Sequence, residues 1–575
     1  MIKLYRFLKP FTAMVIGVFF FVFLQTLGDL YLPTLMSDII NKGVMQGDTN
    51  KILQIGGLML LIAGAGVICA VIASLLSSKV AVGLGTILRS KVFRRVESYS
   101  LHEFDNIGTA TLITRTTNDI NQIQMVTIMI MRMMIAAPMM AIGGIILALR
   151  RDKPLTLVLA VAIPLLGIVI VLIASKMIPL FRMVQVKIDR INLILREKLT
   201  GIRVIRAFNT VERESKRFDE ANVDLTENYI KANRIMAFMM PAIMLIMNFT
   251  SLAILWFGGI RISEDSLDLG QLSAFTQYAM QIMFSMLMLA MMYIMVPRAQ
   301  AAAVRINEVL DTVPEIVDPK DIKENYSGKG YIEFKDVTFS YHGAEEPALK
   351  NISFSAKPGE ITAIIGSTGA GKSTLINLIP RFYDIDSGSI IIDGVDVRDM
   401  SQEKLREKIG FVPQKAVLFS GTITDNIKFG NDGATDDEIR HAAEIAQAAE
   451  FINGMDGGYN HEIAQGGTNV SGGQKQRLSI ARALVRKPEI YVFDDSFSAL
   501  DFKTDAKLRA ALKNEIAEST VIIVAQRVGT VMDADRIIVM NEGEIAGMGT
   551  HKELLNTCDV YREIVSSQLS EEEIA

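Results

Sequence analysis

The chain has 575 residues, more than one compact domain normally holds. Its formal net charge is −4, which argues against a nucleic-acid binder, since such proteins normally carry a basic patch or stripe. The two cysteines, Cys69 and Cys558, stand far apart, which rules out a disulfide framework or a thiolate metal site. Long apolar runs fill the first 300 residues, and charges are frequent after that.

Six runs are long enough to cross a bilayer, which takes roughly 20 apolar residues as helix. They predict spans at about 11–37, 52–78, 124–149, 154–178, 235–262 and 270–298. Lys3, Arg6 and Lys9 precede the first run as in a signal peptide, but its apolar stretch is too long and no small-residue cleavage site follows. Between the second and third spans stand Lys79, Arg89, Lys91, Arg94, Arg95 and Arg115, and between the fourth and fifth Lys176, Arg182, Arg203, Arg206, Arg217 and Arg234. By the positive-inside rule both loops and the N-terminus are expected in the cytoplasm. Arg150, Arg151 and Lys153 oppose the rule locally.

The two basic loops, 79–119 and 176–234, have apolar residues at helical spacing, as in Val186-Ile188-Ile191-Ile194-Leu195. They read as membrane helices continuing below the bilayer, with breaks around Leu101–Gly108 and Ala207–Glu214. The expected membrane domain is 1–300. A linker at 301–330 starts helical over Ala301–Leu310, and a soluble domain occupies 331–575, opening on the alternating strand pattern at Tyr331. The acidic tail 570–575 is expected to fray.

Chemistry concentrates in the soluble half. The strand pattern at 361–365 leads into Gly366-Ser367-Thr368-Gly369-Ala370-Gly371-Lys372-Ser373-Thr374 and an apolar helix. This is the phosphate loop in its strand–loop–helix context. Its glycines let backbone N–H groups approach phosphates. Lys372 is expected to reach the β- and γ-phosphates of ATP, and Ser373 to bind Mg2+. The apolar run Ile490-Tyr-Val-Phe-Asp494-Asp495 reads as a buried central strand ending in carboxylates, with Asp494 placed to hold Mg2+.

Between these two lies Val470-Ser471-Gly472-Gly473-Gln474. With the phosphate loop and the carboxylate strand, it makes the chain resemble the ABC transporter family, in which SGGQ is the signature. The resemblance spans essentially the whole chain. Gln414 in Phe411-Val-Pro-Gln matches the Q-loop, a second contact to Mg2+, and Asp501 in Ser498-Ala-Leu-Asp matches the D-loop. Tyr341 matches the aromatic residue that stacks on adenine, and 104–119 and 418–427 resemble the exporter class. The implied fold is a multidomain membrane protein: an all-α six-helix transmembrane domain with long cytoplasmic extensions, then an α/β P-loop ABC ATPase domain. The implied ATP sites lie between two such domains, each pairing one chain's phosphate loop with the other chain's signature.

Two residues depart from the family pattern. Asp495 stands where the family usually has the glutamate that orients the attacking water, and Gln526 where it usually has histidine. Aspartate is one methylene shorter, positioning dominates phosphoryl transfer, and glutamine cannot carry imidazolium charge. Both changes fall on the site built on this chain's own phosphate loop. The expectation is the degenerate half of a heterodimeric bacterial exporter in the plasma membrane, whose partner has the intact glutamate and histidine. The alternative is an impaired homodimer.

The cargo is less legible. Of 31 methionines, 19 lie in 125–140, 235–260 and 269–297, a soft surface suited either to varied hydrophobic small molecules or to ordinary lipid-facing and core packing. Asp29 and Arg132 lie in or beside spans, where a charge costs roughly 2.5–3.5 kcal/mol on insertion scales. Either residue could line a substrate path. Asp29 could also pair with a neighbouring helix, and Arg132 could mark the end of a span. Lipid or peptide export is an alternative, although no N-terminal peptidase segment is read. A nucleotide-gated regulatory or channel-like subunit is a third possibility, disfavoured by the intact signature.

Overall fold

The computed structural model of the chain describes residues 1–319 and 328–569. Part of the expected linker and the acidic tail 570–575 lie outside the described residues. Two compact units are present, one formed by 1–97 and 109–312, the other by 98–108 and the chain from Val313 onward.

The first unit is built on α1 (Thr12–Asp38), α2 (Thr49–Glu97), α3 (Ile120–Arg151), α4 (Lys153–Thr200), α5 (Val211–Ser263) and α6 (Leu269–Asp311). Among the described residues six helices are long and apolar enough to cross a membrane. α2, with 49 residues, is about 74 Å long at 1.5 Å per residue, more than twice a hydrocarbon core of about 30 Å. The basic loops are therefore helix, as their periodicity predicts. α6 runs unbroken past Pro297 to Asp311. The segment read as a separate linker helix at Ala301–Leu310 is the end of this helix.

Specific polar contacts fix the bends. α3 and α4 are separated only by Asp152 in an extended conformation; its carboxylate caps α4 by accepting from Leu155 N at 2.8 Å and receives Arg261 Nε of α5 at 2.7 Å. At the foot of α3 the chain forms a π-helical turn over Arg115–Asp119, the kind of bulge that re-aims side chains. It turns buried Asp119 toward Arg305 Nε of α6 at 2.7 Å and Arg115 toward Glu308 Oε2 at 2.9 Å.

Leu101–Ile107, read from the sequence as a break, is a short helix. Ser100 and Glu103 form its capping box, with Ser100 N donating to Glu103 Oε2 at 2.7 Å. The other Glu103 oxygen accepts from Glu315 N at 2.9 Å. The His102 and His342 rings lie 4.7 Å apart. Burial opposes the Glu103 charge, but hydrogen bonds from the Ser100 side chain and from Glu315 and Ser100 N–H groups outweigh it and hold the carboxyl below its usual range. The second expected break is narrower than read. Ile202–Ala207 is helical and α5 begins at Val211.

The rest of the second unit holds two main sheets. The antiparallel one comprises β1 (Ile332–Phe339), β2 (Leu349–Ala356), β4 (Ser387–Ile392) and β5 (Val395–Asp396), in the order β2-β1-β4-β5. The other contains β3 (Ile361–Gly366), β6 (Ile409–Val412), β7 (Ile490–Asp494), β8 (Thr520–Val524), β9 (Arg536–Asn541) and β10 (Glu544–Gly549), in the order β10-β9-β3-β8-β7-β6. All but β10 pair in parallel. β7 is buried along its whole length, as an uninterrupted apolar run demands in a sheet covered on both faces. Asp494 ends β7 and Gly366 ends β3, and both strands flank β8 with their C-terminal ends at one edge. Ligands in open α/β sheets bind at this edge.

Candidate functional site

β3 turns through Gly366–Gly371 into the helix α7 (Lys372–Leu378). Gly369 and Gly371 have φ of +88° and +93°, which a side chain would strain. A Cβ on Gly366 would meet Met540 O at 2.2 Å. The loop therefore wraps as a bare backbone cradle, with Ser367, Thr368 and Ala370 between the glycines. Lys372 Nζ, buried, donates to Gly366 O at 2.8 Å and Ser367 O at 2.7 Å. Burial pushes its pKa down, against the opposing pull of Asp495 and Asp494.

Opposite the loop, Ser373 Oγ donates to Asp494 Oδ1 at 3.0 Å. Burial pushes the Asp494 carboxyl up, the neighbouring Asp495 adds to this, and the Ser373 hydrogen bond and Lys372 resist it. Among the described residues no group of three His, Cys, Asp or Glu side chains could hold a metal ion alone. The donor set fits Mg2+ that takes one hydroxyl and one carboxylate from protein and the rest from phosphate and water.

Asp495 sits just beyond β7 at φ +45°, a conformation that aspartate tolerates better than most residues. Its Oδ2 accepts from Gln526 Nε2 at 3.0 Å and from Gln414 Nε2 at 3.3 Å. The two residues that depart from the family pattern are thus bonded to each other, and Gln414 is joined to them. Tyr341, 39% exposed, donates to or accepts from Thr374 Oγ1 at 3.0 Å, and its ring meets Phe339 and Tyr383 edge-on.

The signature lies elsewhere in the unit. Ser471 caps α8 (Gly472–Leu484) in a reciprocal box with Gln474, in which Ser471 N donates to Gln474 Oε1 at 2.8 Å. Ser471 and Gly472 are exposed. A Cβ on Gly472 would meet nothing within 4 Å, whereas one on Gly473 would meet Ala499 O at 3.2 Å. Among the described residues no hydrogen bond joins Ser471–Gln474 to the phosphate loop. Asp501 caps the next helix by accepting from Thr504 N at 3.0 Å.

In the membrane helices Asp29 is half-buried on α1, while Arg132 on α3 is exposed. No ion pair joins them among the described residues. Sequence reasoning did not single out Gln281 of α6, whose Nε2 donates to Asp29 O at 2.9 Å.

Two family models match the chain, the ABC transporter transmembrane region over residues 15–286 and ABC transporter over residues 349–498. An uncharacterized ABC transporter ATP-binding protein of Mycobacterium tuberculosis is 42% identical over 565 residues, covering 98% of this chain and 97% of the relative. An ATP-dependent lipid A-core flippase of Syntrophus aciditrophicus is 31% identical over 506 residues, 88% of this chain and 84% of its own. The solved structure of a bacterial Atm1-family ABC exporter with ATP bound superposes with a TM-score of 0.81 at 26% identity, covering 97% of this chain and 98% of that one.

Proposed function

The chain belongs to the ABC transporter family, as a half-transporter of the exporter type, and from that premise we propose that it is the catalytically degenerate half of a heterodimeric exporter of hydrophobic small molecules. The observation that carries this reading is the pairing of Asp495 with Gln526 at 3.0 Å, set against an exposed, intact Ser471–Gln474 cap. In the proposed role Gly366–Thr374 cradle the phosphates, Lys372 leaves the loop carbonyls for the β- and γ-phosphates, and Tyr341 stacks on adenine. Ser373 and Asp494 would hold Mg2+, with Gln414 beside them. When bound, this ion neutralises charge on the phosphates. The carboxylate of Asp495 is short by one methylene and tied to an amide. It therefore orients water poorly, and ATP at this site persists.

Ser471–Gln474 and Asp501 complete the partner's site, where most hydrolysis occurs. ATP-driven closure of the two ATPase domains is passed to the membrane helices through the short cytoplasmic helices. The N-terminus and ATPase domain lie in the cytoplasm of a bacterial cell, and the helices sit in the plasma membrane among its lipids. A second reading, lipid export, is supported by the similarity to the lipid A-core flippase.

ATPase assays of the chain alone, of the chain with its partner, and of Asp495→Glu/Gln526→His test the proposal. Near-inactivity alone, activity as a pair and a gain in the double variant are expected. Brisk turnover by the chain alone would overturn it. Flip-flop of labelled phospholipid by the reconstituted pair, without transport of small hydrophobic dyes, would favour the lipid reading.

A further inference from the structure

β8 ends at Val524, and the chain crosses to a short helix, α9 (Val528–Val531). Gln526 lies in this crossing, beyond the last ladder partners of β8, so neither neighbouring strand serves its carbonyl. Val528 opens α9, and the first N–H groups of a helix find no carbonyl within it. One side chain meets both needs. Gln568 Nε2 donates to Gln526 O at 2.8 Å, and Gln568 Oε1 accepts from Val528 N at 2.8 Å. A carbonyl only accepts and an N–H only donates, so these contacts allow a single orientation of the Gln568 amide.

Gln568 stands 42 residues beyond Gln526. It follows α10 (Asp559–Ser566), which buries Tyr561 and Val565. The Tyr561 hydroxyl is hydrogen-bonded to His551 Nδ1 at 2.7 Å, and Gln568 N donates to Val565 O at 3.0 Å. Gln568 itself is exposed, and an exposed side chain gives up rotamer freedom when both ends of its amide are held. The backbone it holds carries two contacts of the ATP site. Gln526 Nε2 donates to Asp495 Oδ2 at 3.0 Å, and Arg527 Nη2 donates to Ser498 O, in the D-loop motif, at 3.2 Å. A shift of the 526–528 backbone would therefore move both side chains.

We propose that Gln568 is a positioning residue for hydrolysis at the site built on this chain's phosphate loop. It fixes the 526–528 backbone, and through it the side chain at 526 relative to the one at 495. This rests on the proposed reading of that site, in which geometry at 495 and 526 sets the rate, and extends the site to the segment after α10.

The test measures phosphate release against ATP concentration in the full-length pair. The partner's catalytic glutamate is changed to glutamine, and this chain carries Asp495→Glu/Gln526→His. Gln568→Leu keeps the bulk and removes both hydrogen bonds. Gln568→Glu keeps an acceptor for Val528 N but loses the donor to the carbonyl of residue 526. Both substitutions should lower kcat by about tenfold while changing KM by less than about twofold. A role confined to capping α9 predicts full activity for Gln568→Glu, and that result would overturn the proposal. So would loss in neither variant, or losses that fall on KM or follow a lowered melting temperature. If the Asp495→Glu/Gln526→His pair turns over no faster than wild type, the degenerate-site reading fails on its own. The two Gln568 substitutions in the wild-type chain then decide its role, by the same fall in kcat or by its absence.

Discussion

Restoring reach at position 495 is the most direct perturbation of the proposed asymmetry. Asp495→Glu extends the carboxylate by one carbon–carbon bond, about 1.5 Å. A misplacement of about 1 Å can cost on the order of 100-fold in rate, so the longer side chain should raise turnover at this chain's own site by roughly 10- to 100-fold. Two structural features limit the gain. Position 495 has φ +45°, where glutamate loses the local tolerance aspartate enjoys, at a cost of roughly 1 kcal/mol. The Gln526 amide that now holds Oδ2 at 3.0 Å would also compete with the attacking water. Adding Gln526→His removes that competitor, so the double variant should exceed either single one. The assay is phosphate release by pairs in which the partner's own catalytic glutamate is changed to glutamine, so that only the site built on Lys372 reports. A gain of less than about twofold in a stable, ATP-binding double variant would refute the view that reach and hydrogen bonding at 495 limit hydrolysis.

Gly472→Ala should leave folding intact, because its Cβ meets no atom within 4 Å, yet cut the ATPase of the pair by about 100-fold; melting curves and phosphate release separate the two effects. Asp494→Asn should raise the melting temperature of the nucleotide-free protein near neutral pH. Burial raises the folded-state pKa of this carboxyl, so the stability tied to its protonated form is lost as pH rises through that value, and the advantage of the amide should shrink on acidification. By the same sign, Mg2+-dependent retention of nucleotide in the wild type should fade on acidification at a higher pH than an ordinary aspartate would give. Asp152→Ala removes both the α4 cap and the acceptor for the partly exposed Arg261, and should cost about 2–3 kcal/mol, read as a lower melting temperature in detergent.

What could be read from the sequence was whatever chemistry writes locally. A phosphate loop needs its glycines and lysine within eight residues because backbone and ammonium must meet one phosphate chain, so 366–373 is complete in itself. Membrane helices announce themselves because charge is costly in hydrocarbon, and β7 because a strand covered on both faces is an apolar run up to its terminal carboxylate. The helix 101–107 was also legible. Ser100-Leu-His-Glu103 is a capping box in plain sequence, and it marks a helix start inside the expected break. The boundary near residue 300 came from composition, since charges return there, whereas helix continuity depends on backbone hydrogen bonds that a rise in polarity does not interrupt.

Contacts between distant residues could not be read in this way. Asp119 and Arg305 are separated by 186 residues, and nothing in either neighbourhood names the other. Asp29 and Gln281, 252 residues apart, show where a partial reading was possible. The sequence places Pro33 four residues after Asp29, so the Asp29 carbonyl loses its helical donor before any fold is known, and burial then obliges some other group to replace it. The need was legible, but the group that meets it was not.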